Sequence, residues 1–116
     1  MATEDDKIST VTGDTFNHLV LEGKGPIAVE FMSYSCSYCG ALEPVLQQVA
    51  EMLESKGKIF RVNTETERDL ALEYGVQATP TLIMFQNGRK VGEVDGPSPN
   101  VASVLTAVSH PFRGLR

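Results

Sequence analysis

The chain has 116 residues, 41% apolar and 22% charged, with a net charge of −5 and only 2 cysteines. Length and balance describe one compact domain able to bury a core, and they exclude a disordered chain. The longest apolar runs are a handful of residues, too short for a membrane span, and an acidic chain without a basic stripe interleaved with aromatics does not suit nucleic acid.

In chain order, Met1 to Lys7 reads as a flexible acidic N-terminus, too polar for a signal peptide, so a reducing cytoplasm is the expected compartment. The domain is expected over residues 8–109. Ile8 to Val11 reads as a first strand, and Phe16, Leu19 and Val20 mark a helix that ends at Gly23 to Pro26. Ile27 to Met32 is a buried strand and Ser33 to Ser37 a polar loop. Leu42, Val45, Leu46, Val49, Met52 and Leu53 recur at helical spacing in a segment that Gly57 ends. Lys58 to Asn63 is a third strand and Glu65 to Tyr74 a short helix. Thr81 to Gln86 and Arg89 to Asp95 form a hairpin in which Asn87-Gly88 supplies the positive φ angles of a type I′ turn. Val101, Val104, Leu105 and Val108 define a last helix, followed by a loose tail over residues 110–116. The order β-α-β-α-β-α-β-β-α predicts an α/β fold, a mixed sheet of four to five strands flanked by helices on both faces.

Both cysteines fall in Cys36-Ser37-Tyr38-Cys39, after the second strand and at a helix start. Unpaired N–H groups and the helix dipole favour a thiolate at Cys36. The i, i+3 spacing puts Cys39 on the same helix face, at a Cα separation of roughly 5 to 6 Å that suits a disulfide. A dithiol redox site is the favoured reading. Zinc would need further ligands, and His18 and His110 lack suitable spacing. A purely structural disulfide would close so short a loop that it removes little entropy from the unfolded chain.

Several separated motifs over about residues 8–109 make the chain resemble the thioredoxin superfamily, and within it the single-domain thioredoxins. They are Val29-Glu30-Phe31, Cys36 to Cys39, Pro44, Ala78-Thr79-Pro80-Thr81, Phe85-Gln86-Asn87-Gly88 and Gly96. The resemblance implies a protein-disulfide reductase with no metal or organic cofactor, in which Cys36 is the nucleophile and Cys39 resolves the mixed disulfide. It implies that Glu30 accepts the Cys39 proton, because a carboxylate in an apolar strand should have a raised pKa. The alternatives for Glu30 are a solvent-facing side chain or a pair with Lys58. The resemblance also implies a cis Pro80, with the Thr79 backbone presented to an extended substrate segment. Pro44 reads as a helix kink without a chemical role.

Thioredoxins usually carry Trp-Cys-Gly-Pro-Cys, whereas this chain has Ser35-Cys36-Ser37-Tyr38-Cys39 and no tryptophan. Tyr38 resembles the tyrosine that precedes the second cysteine in glutaredoxins and some disulfide isomerases. Ser35 and Tyr38 are expected to contact substrate. The Ser37 hydroxyl is expected to donate to the Cys36 thiolate and raise the potential. Expected partners are disulfide-containing proteins and, as electron donor, a thioredoxin reductase or glutathione; a monomer is expected, with no nucleic acid and no membrane. The rival readings are a glutathione-dependent enzyme, a disulfide oxidase or isomerase, and a noncatalytic binding module. Among the remaining residues, Arg61 stands where thioredoxin relatives have a lysine near the buried acid, which leaves a pair with Glu30 as an open alternative. Tyr34 and Tyr38 would form a docking surface or cover the loop, Tyr74 belongs in the core, and Met32, Met52 and Met84 fit buried positions. Glu65, Glu67, Arg68 and Asp69 read as a solvated helix face.

Overall fold

The computed structural model describes residues 6–109, so Met1 to Asp5, His110 and the tail lie outside the described residues. Its elements are β1 (Ser9–Thr10), α1 (Gly13–Phe16) running into a π-helical turn (Asn17–Leu21), β2 (Pro26–Met32), α2 (Ser37–Leu53) with a 3₁₀ turn (Glu54–Lys56), β3 (Lys58–Asn63), α3 (Arg68–Glu73), β4 (Thr81–Gln86), β5 (Arg89–Asp95) and α4 (Val101–Ser109). Five strands form one sheet in the order β1-β3-β2-β4-β5. β2 lies in its middle, parallel to β3 and antiparallel to β4. This is the α/β mixed sheet that the element order predicts.

Strand pleating sorts the core into two layers. Ala28 of β2, Ile59 of β3, and Leu82 and Met84 of β4 face Leu42, Leu46 and Val49 of α2 and Val104 and Val108 of α4. The alternate residues Val29, Phe31, Phe60, Val62, Ile83 and Phe85 face Phe16, Val20 and Leu70 on the other side. Tyr74 packs in that second layer, its ring 5.4 Å from Phe16 and 5.6 Å from Phe85. Each layer buries aliphatic or aromatic side chains worth roughly 1.5–3 kcal/mol apiece, so the sheet is held from both faces.

Three local expectations are corrected. Met52 is 54% exposed, because the buried stripe of α2 runs Cys39, Leu42, Leu46, Val49 and then continues to half-buried Leu53, leaving Met52 to one side. The third helix begins at Arg68 and not Glu65, since Asn63 holds a turn there: its side-chain oxygen accepts from Glu65 N at 3.0 Å and its carbonyl from Glu67 N at 2.9 Å. Asp6 and Lys7 are tied to the domain, Asp6 by an ion pair with Arg61 at 3.1 Å and Lys7 by its backbone N–H to Gln47 Oε1 at 2.8 Å. The ordered domain therefore starts before Ile8.

The hairpin turn has φ of 52° at Asn87 and 82° at Gly88, as a type I′ turn requires. A Cβ on Gly88 would lie 2.5 Å from the carbonyl oxygen of Leu21. Gly88→Ala should therefore cost about 2 kcal/mol, through both the left-handed backbone and the clash. Urea unfolding would show this as a lower midpoint at unchanged slope; an unshifted midpoint would mean that the hairpin does not press against the end of the α1 segment.

Candidate active site

The site is built where the C-terminal end of β2 meets the N-terminal end of α2. Cys36 caps α2 in extended backbone, φ −92° and ψ 113°, and its sulfur accepts the Cys39 N–H at 3.1 Å. The thiol of Cys36 donates to the Thr79 carbonyl at 3.6 Å. Cys36 is partly exposed and Cys39, one turn on, is buried; both are free thiols. Burial works against ionising Cys36, but hydrogen bonds from the Cys39 thiol, from Thr79 and from the Cys39 and Tyr38 backbone outweigh it and lower its pKa. Cys39 moves the opposite way, pushed up to about 11 by burial and by its neighbour Cys36. Two chemically identical thiols are thus displaced in opposite directions, accessible Cys36 towards its thiolate and buried Cys39 towards its protonated form.

Thr79-Pro80 is a cis peptide, and this loop lies against the cysteines through the Cys36 to Thr79 contact. Pro80 is buried, and its carbonyl accepts from Gly96 N at 2.8 Å. Tyr38 joins the same assembly, its hydroxyl donating to the Pro97 carbonyl at 2.7 Å. Cys36 and Tyr38 at the start of α2 and Thr79 and Pro80 before β4 are therefore brought together, tied through Gly96 and Pro97 after β5. Tyr34 stands apart with 70% of its surface exposed.

Glu30 is fully buried, and neither carboxyl oxygen has a hydrogen-bond partner among the described residues. It lies on the α2 face of β2, level with Leu82 of β4 and Arg61 of β3. Burial, reinforced by the negative charge of Glu43, raises its pKa to about 8. Among the described residues Glu30 pairs with neither Arg61 nor Lys58, the two alternatives left open, and it does not face solvent. Arg61 reaches outward instead: Nη1 donates to Asp6 Oδ2 at 3.1 Å and to the Ile8 carbonyl at 3.2 Å, and Nη2 to Glu43 Oε2 at 2.5 Å.

Ser37, the exposed first residue of α2, makes no side-chain hydrogen bond among the described residues, so the expected bond from its hydroxyl to Cys36 is not formed. Ser35 is engaged by a residue that the sequence analysis missed. Ser33 and Ser35 both donate to Glu65 Oε2, at 2.7 and 2.6 Å, which pins the loop before Cys36 and holds the Glu65 pKa down. Two serines two apart in a loop are the local signal, but the acid that joins them comes from beyond β3 and carries no mark in its own neighbourhood. Glu43 and Asp6 were missed for the same reason. A cavity of about 560 Å³ is lined by Asp6, Ser33, Cys36, Cys39, Glu43 and Arg61 among others, and gives solvent access beside the two thiols. His18 is exposed on the α1 segment beside Glu22 and takes no part.

Comparison with known proteins agrees with this geometry. The family model described as Thioredoxin matches residues 7–107. Thioredoxin 1 of Nostoc sp. is 35% identical over 100 residues, covering 86% of this chain and 94% of the relative. The chloroplastic M-type thioredoxin of Chlamydomonas reinhardtii is 33% identical over 96 residues, covering 83% of this chain and 69% of the relative. A probable protein disulfide-isomerase A6 of Medicago sativa is 36% identical over 95 residues, 80% of this chain but 26% of that longer protein.

Proposed function

On the premise that the chain belongs to the thioredoxin family and is a thiol–disulfide oxidoreductase of the protein-disulfide reductase type, we propose that Cys36 is its nucleophile, Cys39 its resolving thiol and Glu30 the acceptor of the Cys39 proton. The observation that carries this is the placement of the two thiols at one helix end, Cys36 accessible at the cap with its sulfur accepting the Cys39 N–H at 3.1 Å and Cys39 buried one turn on, which lowers the pKa of the first and raises that of the second.

The Cys36 thiolate attacks one sulfur of a substrate disulfide. A Cys36–substrate bond forms, the substrate S–S bond breaks, and the displaced sulfur leaves as a thiol after protonation. Cys36 then carries no negative charge, so the interaction that held the Cys39 proton is gone. Glu30, when ionised, takes that proton; Cys39 attacks Cys36 Sγ, closes the Cys36–Cys39 disulfide and releases the second substrate thiol. Two enzyme thiols are oxidised for one substrate disulfide reduced. Thr79 and Pro80 supply the backbone edge beside Cys36 for an extended substrate segment, and Ser35 and Tyr38 border it. Disulfide-bearing proteins are the substrates and a thioredoxin reductase the electron donor, in a reducing compartment such as the cytoplasm. No helix among the described residues is long and apolar enough to cross a membrane.

Alkylation tests the assignment of the nucleophile. The reduced protein, treated with substoichiometric iodoacetamide at pH 6.5 and mapped by mass spectrometry, should carry the label at Cys36 with Cys39 unmodified. Equal labelling, or a preference for Cys39, would reject it.

A further inference from the structure

Glu30 and Arg61 are register partners on adjacent parallel strands, both on the sheet face that α2 covers. A carboxylate and a guanidinium so placed would ordinarily find each other, since an ion pair is the usual way to bury either charge. Here they do not meet. Among the described residues both oxygens of Glu30 lack partners, as does Arg61 Nε, while both terminal nitrogens of Arg61 are spent on Glu43, Asp6 and the Ile8 carbonyl. Gln47 braces the two competing acids, its Nε2 donating to Asp6 Oδ1 and to Glu43 Oε2, each at 2.7 Å. Glu43 comes from α2, one turn beyond Cys39, and Asp6 from the segment before β1. Two elements therefore converge on one guanidinium and hold it at the surface of the cavity.

We propose that Glu43, assisted by Asp6, is a positioning residue that claims Arg61 and so keeps Glu30 unpaired and available to exchange a proton with Cys39. The inference deepens the role given to Glu30 above and rests on it for its catalytic meaning. The charged and titratable groups bearing on Glu30 are Arg61 from β3, Glu43 from α2, and Cys36 at the α2 cap; its β4 neighbour Leu82 carries no charge. Glu43 acts twice, directly as a like charge and indirectly by occupying Arg61, the cation that would otherwise favour ionised Glu30. Both effects have the same sign, favouring the neutral carboxylic acid. Arg61 opposes them.

The test is the titration of the Glu30 carboxyl, followed by ¹³C NMR of the reduced full-length protein carrying labelled glutamate. Glu43→Gln keeps the side-chain length and an acceptor for Arg61 but removes the charge. Its Glu30 midpoint should fall by at least about one pH unit. Arg61→Met should move the midpoint upward, and in that background the effect of Glu43→Gln should shrink to half or less, because only direct repulsion remains. Asp6→Asn, a change at an exposed position, should give a smaller downward shift and serves if Glu43→Gln folds poorly. A Glu30 midpoint unmoved by Glu43→Gln and Asp6→Asn would overturn the proposal, as would a shift of equal size with and without Arg61. The rate of Cys39 attack on a preformed Cys36 mixed disulfide, measured in Glu30→Gln, reports separately on the role of Glu30. Were that rate unchanged, Glu30 would not be the proton acceptor, while the carboxyl titrations would still decide whether Glu43 governs its charge.

Discussion

Cys36→Ser is expected to abolish protein-disulfide reduction, a loss on the order of 10³-fold or more against background thiol exchange. A serine hydroxyl cannot form the mixed disulfide, and Cys39 cannot substitute, because it is buried out of reach of a substrate disulfide and burial disfavours its thiolate. Cys39→Ser should behave differently. Cys36 remains partly exposed at the helix cap, so the first attack proceeds and the reaction stops at the mixed disulfide. Incubating each variant with an oxidised protein substrate and analysing the products on non-reducing gels distinguishes them. Cys39→Ser should accumulate a covalent adduct that dithiothreitol releases, and Cys36→Ser should form none. An adduct with Cys36→Ser would assign the nucleophile to the wrong thiol. A Cys39→Ser protein that turns over at the wild-type rate with glutathione would favour the monothiol, glutathione-dependent reading over the dithiol one.

What the sequence makes legible is what neighbours in the chain decide. The strand–loop–helix around Cys36 follows from an apolar run, a polar loop and a helical stripe. The Asn87-Gly88 turn follows from the two residues that tolerate positive φ, and both adopt it. The core layers follow from strand alternation, which also puts Glu30 among apolar side chains and predicts its raised pKa. Less legible is which distant side chain wins when several compete. Arg61 lies beside Glu30 in register, yet two carboxylates from other elements take its terminal nitrogens. Glu65 looks like one charge in a solvated run, but β3 ends so as to bring it to Ser33 and Ser35. Ser37 sits next to Cys36 in the chain, yet it is exposed and makes no hydrogen bond to it. In each case the local pattern identifies a group able to bond, and the packing of remote elements selects its partner.

Glu30 gives the second large expectation, a stability cost that grows with pH. Its pKa is about 8 in the fold against 4.5 for an ordinary glutamate. Below the ordinary value the carboxyl is protonated in both folded and unfolded chains, and the shift costs nothing. As pH rises between the two values the unfolded chain ionises freely while the folded one retains its proton, so stability falls. Above the folded value the full difference is lost, about 5 kcal/mol. Glu30→Gln preserves the shape and cannot ionise, so it is free of this dependence, although its buried amide lacks partners and costs about 1–3 kcal/mol at every pH. Urea unfolding of the reduced proteins should therefore show the variant no more stable than the wild type near pH 4.5. It should then gain steadily on the wild type, becoming the more stable protein by about pH 9. Cysteine titration is common to both chains and largely cancels in the difference. A stability difference that stayed flat across this range would mean that Glu30 is already ionised in the fold, with Arg61 turned inward to meet it, and the unpaired carboxyl of raised pKa on which the proton step depends would have to be abandoned.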